Sequence, residues 1–562
     1  MRHDLLILFF ILLSSALMAD EHSNEAPSFK VQGIVTDEKG EGLPGASVWV
    51  KGTVVGAGTN AKGEFSFKLS SKNRCVLRVS FTGYEPQERE VTPGVDSLYH
   101  FVLEPSNNAL NEVVITGTRT LKPLKDVPVL TRVISSEDIA QVNPLDLQSL
   151  LEYEMPGLQF GLAHGSGLPE LKFQGSAGGY VLFMIDGERV AGEGSSNNID
   201  YNLIDMDNVE RIEIVKGPMS TLYGSQAMGG VVNIITKDAN RPFTGNVSVR
   251  YGNNDESKYS LSLGAKQGRF SALTSLSYRK RDAYALKDKE GQIEYSYYKD
   301  IYGRDSVVAD TSEKGMSSVN GFEIWQANQK LSYTFNENFR ISLNGTYYNN
   351  DVLEYVEQKE KDRFSNYSIN PRVYYAINDS HILDFSYVFE NYEKRYVYTT
   401  SLPSKKVFGD LTNTVRLNYT GYIHEKHTLT AGIEVNTQKL QHYWFDNGSG
   451  KKFDAQTYVL YLQEDYEVSD SFSVLAGVRS DCHSKYGFHA SPKISLMYKY
   501  GVLTLRGGYG MGFRIPSLKE LHSEYDMGGQ GFFMIYGNED LEPEISHQGT
   551  FSAEVTKGIF NG

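Results

Sequence analysis

From Phe243 onward, apolar and polar residues alternate over runs of about ten positions, a pattern that only a few architectures can accommodate. Phe339, Ile341, Leu343, Gly345 and Tyr347 fall on one face of a strand, with Arg340, Ser342, Asn344 and Thr346 on the other. Leu383, Phe385, Tyr387 and Phe389 alternate with Asp384, Ser386 and Val388, and Ile494, Leu496, Tyr498 and Tyr500 with Lys493, Ser495, Met497 and Lys499. A soluble sandwich also alternates, but over strands of about five or six residues and without aromatic ends. Long strands with one apolar face and aromatic termini meet the needs of a transmembrane antiparallel β-barrel, which shows one face to lipid and the other to a wet or plugged lumen. Polar stretches at Lys287–Gly315 and Glu357–Ser365 are expected to be external loops.

Composition agrees with a mainly β chain. There are 37 Tyr, 3 Trp and 53 Gly among 562 residues. The mean hydropathy of −0.38 excludes a helical membrane bundle but not a barrel, whose alternating strands average out to hydrophilic. A net charge of −14 without any basic stripe argues against nucleic acid as a partner. Cys75 and Cys482 lie far apart and are expected to be separate thiols; no zinc spacing, P-loop or dinucleotide fingerprint occurs. No nucleophile–base or metal constellation stands out either, so the chain reads as a non-enzyme with no catalytic cofactor.

The N-terminus reads as an export signal, residues 1–19: Arg2 and His3 precede the apolar run Leu5–Leu13, with small residues ending at Ala19. Residues 29–104 carry closely spaced strand signals, about six or seven in all, in the manner of a β-sandwich. After a linker at Pro105–Asn108 comes Glu112-Val113-Val114-Ile115-Thr116, an extended β-branched segment suited to joining another protein's sheet edge. An α+β region follows. Ser135 and Asp138 read as a capping box, and Asn143, Pro144 and Asp146 as cap, N1 proline and acidic first turn of a helix with Leu147, Leu150 and Leu151 on its apolar face. Gly161–Gly167 is a glycine-rich loop carrying His164, and Asp186-Gly187 is the pair for a type I′ hairpin. The region closes on a strand with Ile212 and Ile214 on one face and Arg211, Glu213 and Val215 on the other, a stop at Gly217-Pro218, a helical turn at Ser220–Tyr223, and a second strand Val231–Thr236.

The wording of that last stretch, V-E-R-I-E-I-V-K-G-P-M-S-T-L-Y-G-S-Q-A-M-G-G-V-V-N-I-I-T-K, resembles the end of the plug domain of TonB-dependent outer-membrane receptors. G-I-V-T-D-E-K-G-E-G-L-P-G-A-S-V-W-V-K-G-T resembles the carboxypeptidase regulatory-like domain, a non-catalytic sandwich. The resemblance implies a sandwich at 29–104, a TonB box within 111–120, a plug at 121–238 and a transmembrane barrel at 243–562, in the outer membrane of a Gram-negative bacterium. It implies a periplasmic TonB-type energy-coupling protein as the partner of Glu112–Thr116, and outer-membrane lipid around the barrel. It also implies a barrel of about twenty-two strands, where the alternation supplies about thirteen or fourteen, so the C-terminal part is expected to be missing.

For the cargo, haem receptors of this superfamily carry an F-R-A-P box and an N-P-x-L box with a histidine between them and a second in the plug. Phe513-Arg514-Ile515-Pro516 resembles the first with Ile for Ala, and Asn538-Glu539-Asp540-Leu541 the second with Glu for Pro. His522 lies between them and His164 in the plug, so the resemblance implies a bis-histidine haem site, entered past Phe513, Arg514, Pro516, Asn538 and Leu541, with no other metal. The arginine–proline box occurs in siderophore and cobalamin receptors too, and these remain alternative readings. Under the haem reading, the resemblance also implies a surface haem-capturing lipoprotein as a further partner. A surface adhesin is the alternative of a different class; it has no use for a plug or for Glu112–Thr116.

Overall fold

The computed structural model describes residues 29–561 apart from 52, 54, 61, 70–73, 82–83, 85, 93–97, 105–112, 121, 156–157, 163–168, 174–175, 178–179, 191, 193–198, 286–293, 300–304, 311–317, 355–359, 399–401, 425, 527–532 and 558–559. The export-signal reading, Glu112 and His164 therefore lie outside the described residues.

Residues 29–103 form two small sheets packed face to face. One orders Glu64–Leu69, Phe29–Asp37 and Tyr99–Leu103; the other Gly56–Gly58, Ser47–Val50, Cys75–Ser80 and Gln87–Val91. Their inward positions, among them Val31, Val35, Val48, Phe65, Leu77 and Phe101, close over one apolar core.

The plug is built on a five-stranded sheet in the order Thr131–Ile134, Val209–Lys216, Gly230–Thr236, Val181–Ile185 and Glu188–Arg189. Helices Ser136–Val142 and Leu147–Glu154 cover one face, where Leu147, Leu150 and Leu151 meet Ile212 and Ile214. Ser135 caps the first helix in a full capping box with Asp138, as the sequence suggests. The second helix starts later than read. Its cap is Asp146, while Asn143 ends the preceding helix in the left-handed region at φ 49°, a conformation asparagine tolerates better than other non-glycine residues. Asp186 and Gly187 take the positive φ values of a type I′ turn. The strand Val209–Lys216 is buried on both faces; Glu213, assigned to the outer face by alternation, is fully buried.

Fourteen long strands between Thr244 and Lys557 and the short Phe560–Asn561 form one antiparallel sheet in strict sequence order. The turns at one end are tight, as at Asn336–Phe339, Asn378–His381, His424–His427 and Tyr500–Leu503, while the connections at the other end run up to residues 515–543. In outer-membrane barrels short turns face the periplasm and long loops the exterior, which places residues 237–243 and the sandwich on the periplasmic side. Ile341, Tyr347, Phe385, Ile494, Leu496 and Tyr498 point outward, while Ser386, Lys493, Ser495 and Met497 are buried toward the lumen, as alternation predicts. Aromatic residues gather near both ends of the outer surface, with Tyr278 against Trp325 and Phe335 against Phe339. Residues 360–365, expected in a loop, instead begin the strand Glu360–Asn378. There Lys361 and Arg363 bond Asp351 of the neighbouring strand, so the sheet continues past the apolar band where polar residues occupy both faces. The expected loop at 287–315 contains a hairpin of Glu294–Lys299 with Asp305–Asp310.

The plug lies in the lumen. Its turn at Gly217–Pro218 and helix Ser220–Tyr223 press on the wall strand Leu503–Arg514, which is glycine at alternate inward positions. A Cβ at Gly510 would lie 2.8 Å from Pro218 Cγ, and one at Gly512 would lie 2.9 Å from Met228 Cγ. Only glycine allows so close an approach.

Candidate functional site

Three groups of residues join plug, barrel and sandwich. The first holds the segment just inside the periplasmic mouth. Val113–Val114 pairs with Lys122–Pro123, and Val114 joins an apolar cluster with Val133, Val215 and Val231. The Ile115 and Thr116 amides donate to Glu213 Oε2 at 3.0 and 2.8 Å, and the Thr116 hydroxyl donates to the same oxygen at 2.7 Å. Asn233 donates to Thr116 Oγ1 and the Tyr223 hydroxyl to the Thr116 carbonyl. Arg211 balances the carboxylate through Glu213 Oε1 at 2.7 Å. The segment read as suited to another protein's sheet edge is bound within the plug along residues 113–116.

The second group fastens the chain that follows to the barrel wall. Tyr461, Gln463 and Asp465 are successive inward residues of the strand Lys452–Ser469. Tyr461 accepts from Arg119 at 2.7 Å, Gln463 donates to the Thr118 carbonyl at 2.8 Å, and Asp465 pairs with Lys122 at 2.8 Å. The Arg119 guanidinium also donates to the Leu222 carbonyl and lies between the rings of Tyr223 and Tyr461. Its backbone sits in the left-handed region at φ 60°, a strained state for arginine that persists because its surroundings over-determine it. Deeper in the lumen, Arg416 bridges plug Glu188 at 2.8 Å to Glu434 at 2.7 Å, and Arg479 pairs with Asp481 and donates to the Leu222 carbonyl. At the periplasmic mouth Asp126 of the plug receives both Arg78 of the sandwich, at 3.2 Å, and Lys499 of the barrel, at 2.6 Å. Burial alone pushes the Asp126 carboxyl up, but Lys499 and Arg78 outweigh it and hold it below the usual carboxylate range.

The third group lies at the outer mouth. Phe513 is buried, with its ring stacked on His489. Arg514 binds Glu544 and Glu520 and sits over the ring of plug Tyr180, whose hydroxyl donates to Glu544. The Ile515 amide donates to plug Ser225, and Pro516 leads into the helix Leu518–His522, capped by Ser517 and Glu520. This first box therefore joins plug, wall and outer loop. Asn538 donates from its amide to the Glu520 carbonyl, and Leu541 is exposed on the following turn. His522 stacks on Phe453 with ring centroids 3.9 Å apart, and its Nδ1 lies 2.9 Å from Glu539 Oε1. Donation from Nδ1 to that carboxylate leaves Nε2 as an acceptor. Burial lowers the His522 pKa and Glu539 opposes it, with burial the stronger. Below them Phe364, Tyr392, Phe408, Phe445 and Leu518 form an apolar floor. Tyr348 and Tyr392 donate through it to the buried plug residue Asp200 at 2.7 and 3.1 Å. Sequence reading singled out neither Glu213, Arg119 nor the Tyr461–Asp465 series, whose partners lie 97 to 345 positions away in the chain. No group of three or more metal-ligating side chains occurs among the described residues.

Comparison with known proteins agrees with this architecture. The chain matches the TonB-dependent receptor plug domain over residues 123–231 and the TonB-dependent receptor-like β-barrel over 288–562. The chain belongs to the TonB-dependent receptor family. A carboxypeptidase regulatory-like domain is matched over residues 31–115 ahead of them. An iron-regulated outer membrane virulence protein of Vibrio cholerae is 25% identical over 459 residues, covering 77% of this chain and 64% of the relative. A ferric enterobactin receptor of Pseudomonas aeruginosa is 26% identical, covering 77% and 66%. A mutant of the ferric enterobactin receptor of that organism, solved by crystallography, superposes with a TM-score of 0.61 at 19% identity, over 76% of this chain and 69% of that one. The chain thus spans just under two thirds of the Vibrio relative's length. As a member of the family it is an outer-membrane β-barrel protein.

Proposed function

We propose that this receptor imports an iron-containing ligand across the outer membrane, drawing on a periplasmic TonB-type protein that engages residues 112–116. The observation that carries the reading is the double fastening of this segment, to Glu213 of the plug and, through the residues after it, to the barrel wall. A pull on the segment is transmitted to both bodies that have to part for a ligand to pass. The likeness to an iron-regulated outer membrane protein and to a ferric enterobactin receptor supports iron as the element carried. A vitamin B12 transporter of Vibrio vulnificus, 26% identical, keeps cobalamin as a competitor to be tested.

For the ligand, the His522–Glu539 pair favours haem, with Nε2 as an axial donor and His164 as the second. A second reading, a ferric siderophore, rests on the aromatic and cationic residues beside it: Lys519 lies 3.9 Å from the Trp444 ring centroid, and Trp444 stacks on Tyr525. The Trp444 and Tyr525 rings are half-buried and suit stacking by an aromatic chelate, while Lys519 itself is buried. Titration of the receptor with haemin, ferric enterobactin and cobalamin separates the readings. A Soret shift that disappears in His522→Ala and in His164→Ala supports haem; an unshifted band with saturable binding of the siderophore rejects it. Deletion of residues 112–116 should abolish uptake while leaving ligand binding intact. Uptake that survives the deletion rejects energy coupling and leaves a surface-binding role.

A further inference from the structure

The seam between plug and wall holds a buried lysine that meets no carboxylate among the described residues. Lys493 points inward from the strand Gly487–Tyr500 and is only 7% exposed. Its ammonium donates to Met219 Sδ of the plug at 3.0 Å, and among the described residues no carboxylate stands within ion-pair distance of it. A thioether is a weak acceptor, and a buried ammonium with no stronger partner is costly. Several other lumen cations meet carboxylates: Arg416 meets Glu188 and Glu434, Arg479 meets Asp481, and Lys258 meets Asp205 and Asp207.

Lys493 lines a cavity of about 30 Å³ between the plug turn and the wall strands. Its charged lining residues are all cations: Lys216 of the plug, Lys493 and Arg506. Arg506 is met by Glu554 at 2.6 Å and by the Val127 carbonyl. Lys216 and Lys493 have no ion-pair partner among the described residues. Ser495 and Ser552 add hydroxyls to the lining, and the buried Ser552 Oγ has no hydrogen-bond partner. A buried cation, an idle hydroxyl and a lining without carboxylates constitute an anion-binding chemistry. The volume exceeds the roughly 10–15 Å³ a single water needs, and it suits a monatomic ion while leaving no room for an organic chelate.

We propose that this cavity binds a small monovalent anion of chloride size, held by Lys493 of the wall against the plug at Lys216–Pro218. The ion neutralises the seam and ties the plug turn to the barrel; parting of the two surfaces opens the site and frees it. The site is separate from the outer mouth and does not depend on which ligand the receptor carries.

The test is anomalous diffraction at the bromine edge from crystals of the whole chain soaked in bromide. A peak is expected in contact with Lys493 Nζ, and it should vanish in Lys493→Met, which removes the ammonium and keeps an unbranched side chain one atom shorter. Melting in detergent at constant ionic strength should also rise when chloride or bromide replaces gluconate in the wild type and not in Lys493→Met. An ordered water without anomalous signal at the site overturns the proposal. A peak that persists in the variant marks an adventitious ion only and overturns it as well. If the variant does not fold, the wild-type bromide experiment decides alone.

Discussion

Thr116 and Glu213 are joined by two hydrogen bonds to a single carboxylate oxygen, from the amide at 2.8 Å and from the hydroxyl at 2.7 Å, with both residues fully buried. A third donor, the Ile115 amide, reaches the same oxygen. The carboxylate thereby replaces a neighbouring strand for a stretch of chain that has none at this point, and it does so from a strand whose alternation pattern placed Glu213 on an open face.

Removal of that acceptor should free the segment without unfolding the barrel. Glu213→Ala takes the acceptor from the buried amide and hydroxyl of Thr116 and from the part-buried Ile115 amide, at about 1–3 kcal/mol for each buried donor. Hydrogen exchange at Ile115 and Thr116 should accelerate by roughly tenfold or more, while amides of the barrel strands keep their protection. Glu213→Gln keeps one acceptor and should fall between the two. Unchanged exchange at Thr116 in the alanine variant would falsify the anchoring role.

Arg119 and Tyr461 offer a test of the fastening to the wall. Tyr461→Phe removes the hydroxyl that accepts from Arg119 and keeps the ring under the guanidinium. A double-mutant cycle with Arg119→Gln should give a coupling of about 1–2 kcal/mol, since the two residues share a charge-assisted hydrogen bond in a partly buried site. Both single variants should make the outer membrane leakier to large antibiotics, because each loosens the plug along the strand Lys452–Ser469. A coupling within error of zero shows that the contact carries no load.

Asp126 connects three bodies and predicts a pH dependence. Its carboxyl pKa is lowered in the folded protein by Lys499 and Arg78 against the effect of burial. A depressed folded value contributes stability that is present above the unfolded pKa, about 3.9, and is lost as pH falls through the folded value. The sandwich should therefore stay docked at neutral pH and loosen only in strong acid, read as growing proteolytic release of the sandwich from the rest of the chain. Asp126→Asn should show that release at neutral pH and lose the acid dependence. Docking that is indifferent to both the substitution and the pH rules out this contact as the tether.

Much of this architecture was legible in the sequence because its causes are local. Alternation set the inward and outward faces of the barrel strands, Asp186-Gly187 set a hairpin, and Ser135 with Asp138 set a helix start. Asn143 and Asp146 show where local signals compete: both are good caps, and which one starts a helix depended on the left-handed conformation that Asn143 adopts to end the one before. Residues 360–365 were misjudged since polarity on both faces marks a strand beyond the membrane as well as it marks a loop. The fastenings were hidden for a different reason. Arg119 meets Tyr461 across 342 residues, and Lys122 meets Asp465 across 343; no periodicity within either segment encodes the encounter. Glu213 was hidden because its partner is the main chain of residues 115 and 116.

The His522–Glu539 pair gives a final prediction, resting on the haem reading. Burial keeps the imidazole pKa below its ordinary value of about 6.5, although Glu539 pulls the other way. The ring is then neutral at pH 7 and its Nε2 is open to iron; on acidification the proton competes with the metal. The Soret signature of bound haem should hold at neutral pH and through pH 6.5, and fade as pH falls below the lowered value. Glu539→Gln removes the carboxylate that orients Nδ1 and raises the basicity of the ligand nitrogen, a loss worth about 10–100-fold in metal affinity at comparable sites. His522→Ala should lose the signature altogether, and circular dichroism of both variants should stay that of a folded barrel. Equal haem affinity in wild type and Glu539→Gln would separate Glu539 from ligation and leave its bond to His522 as a support for the helix Leu518–His522 alone.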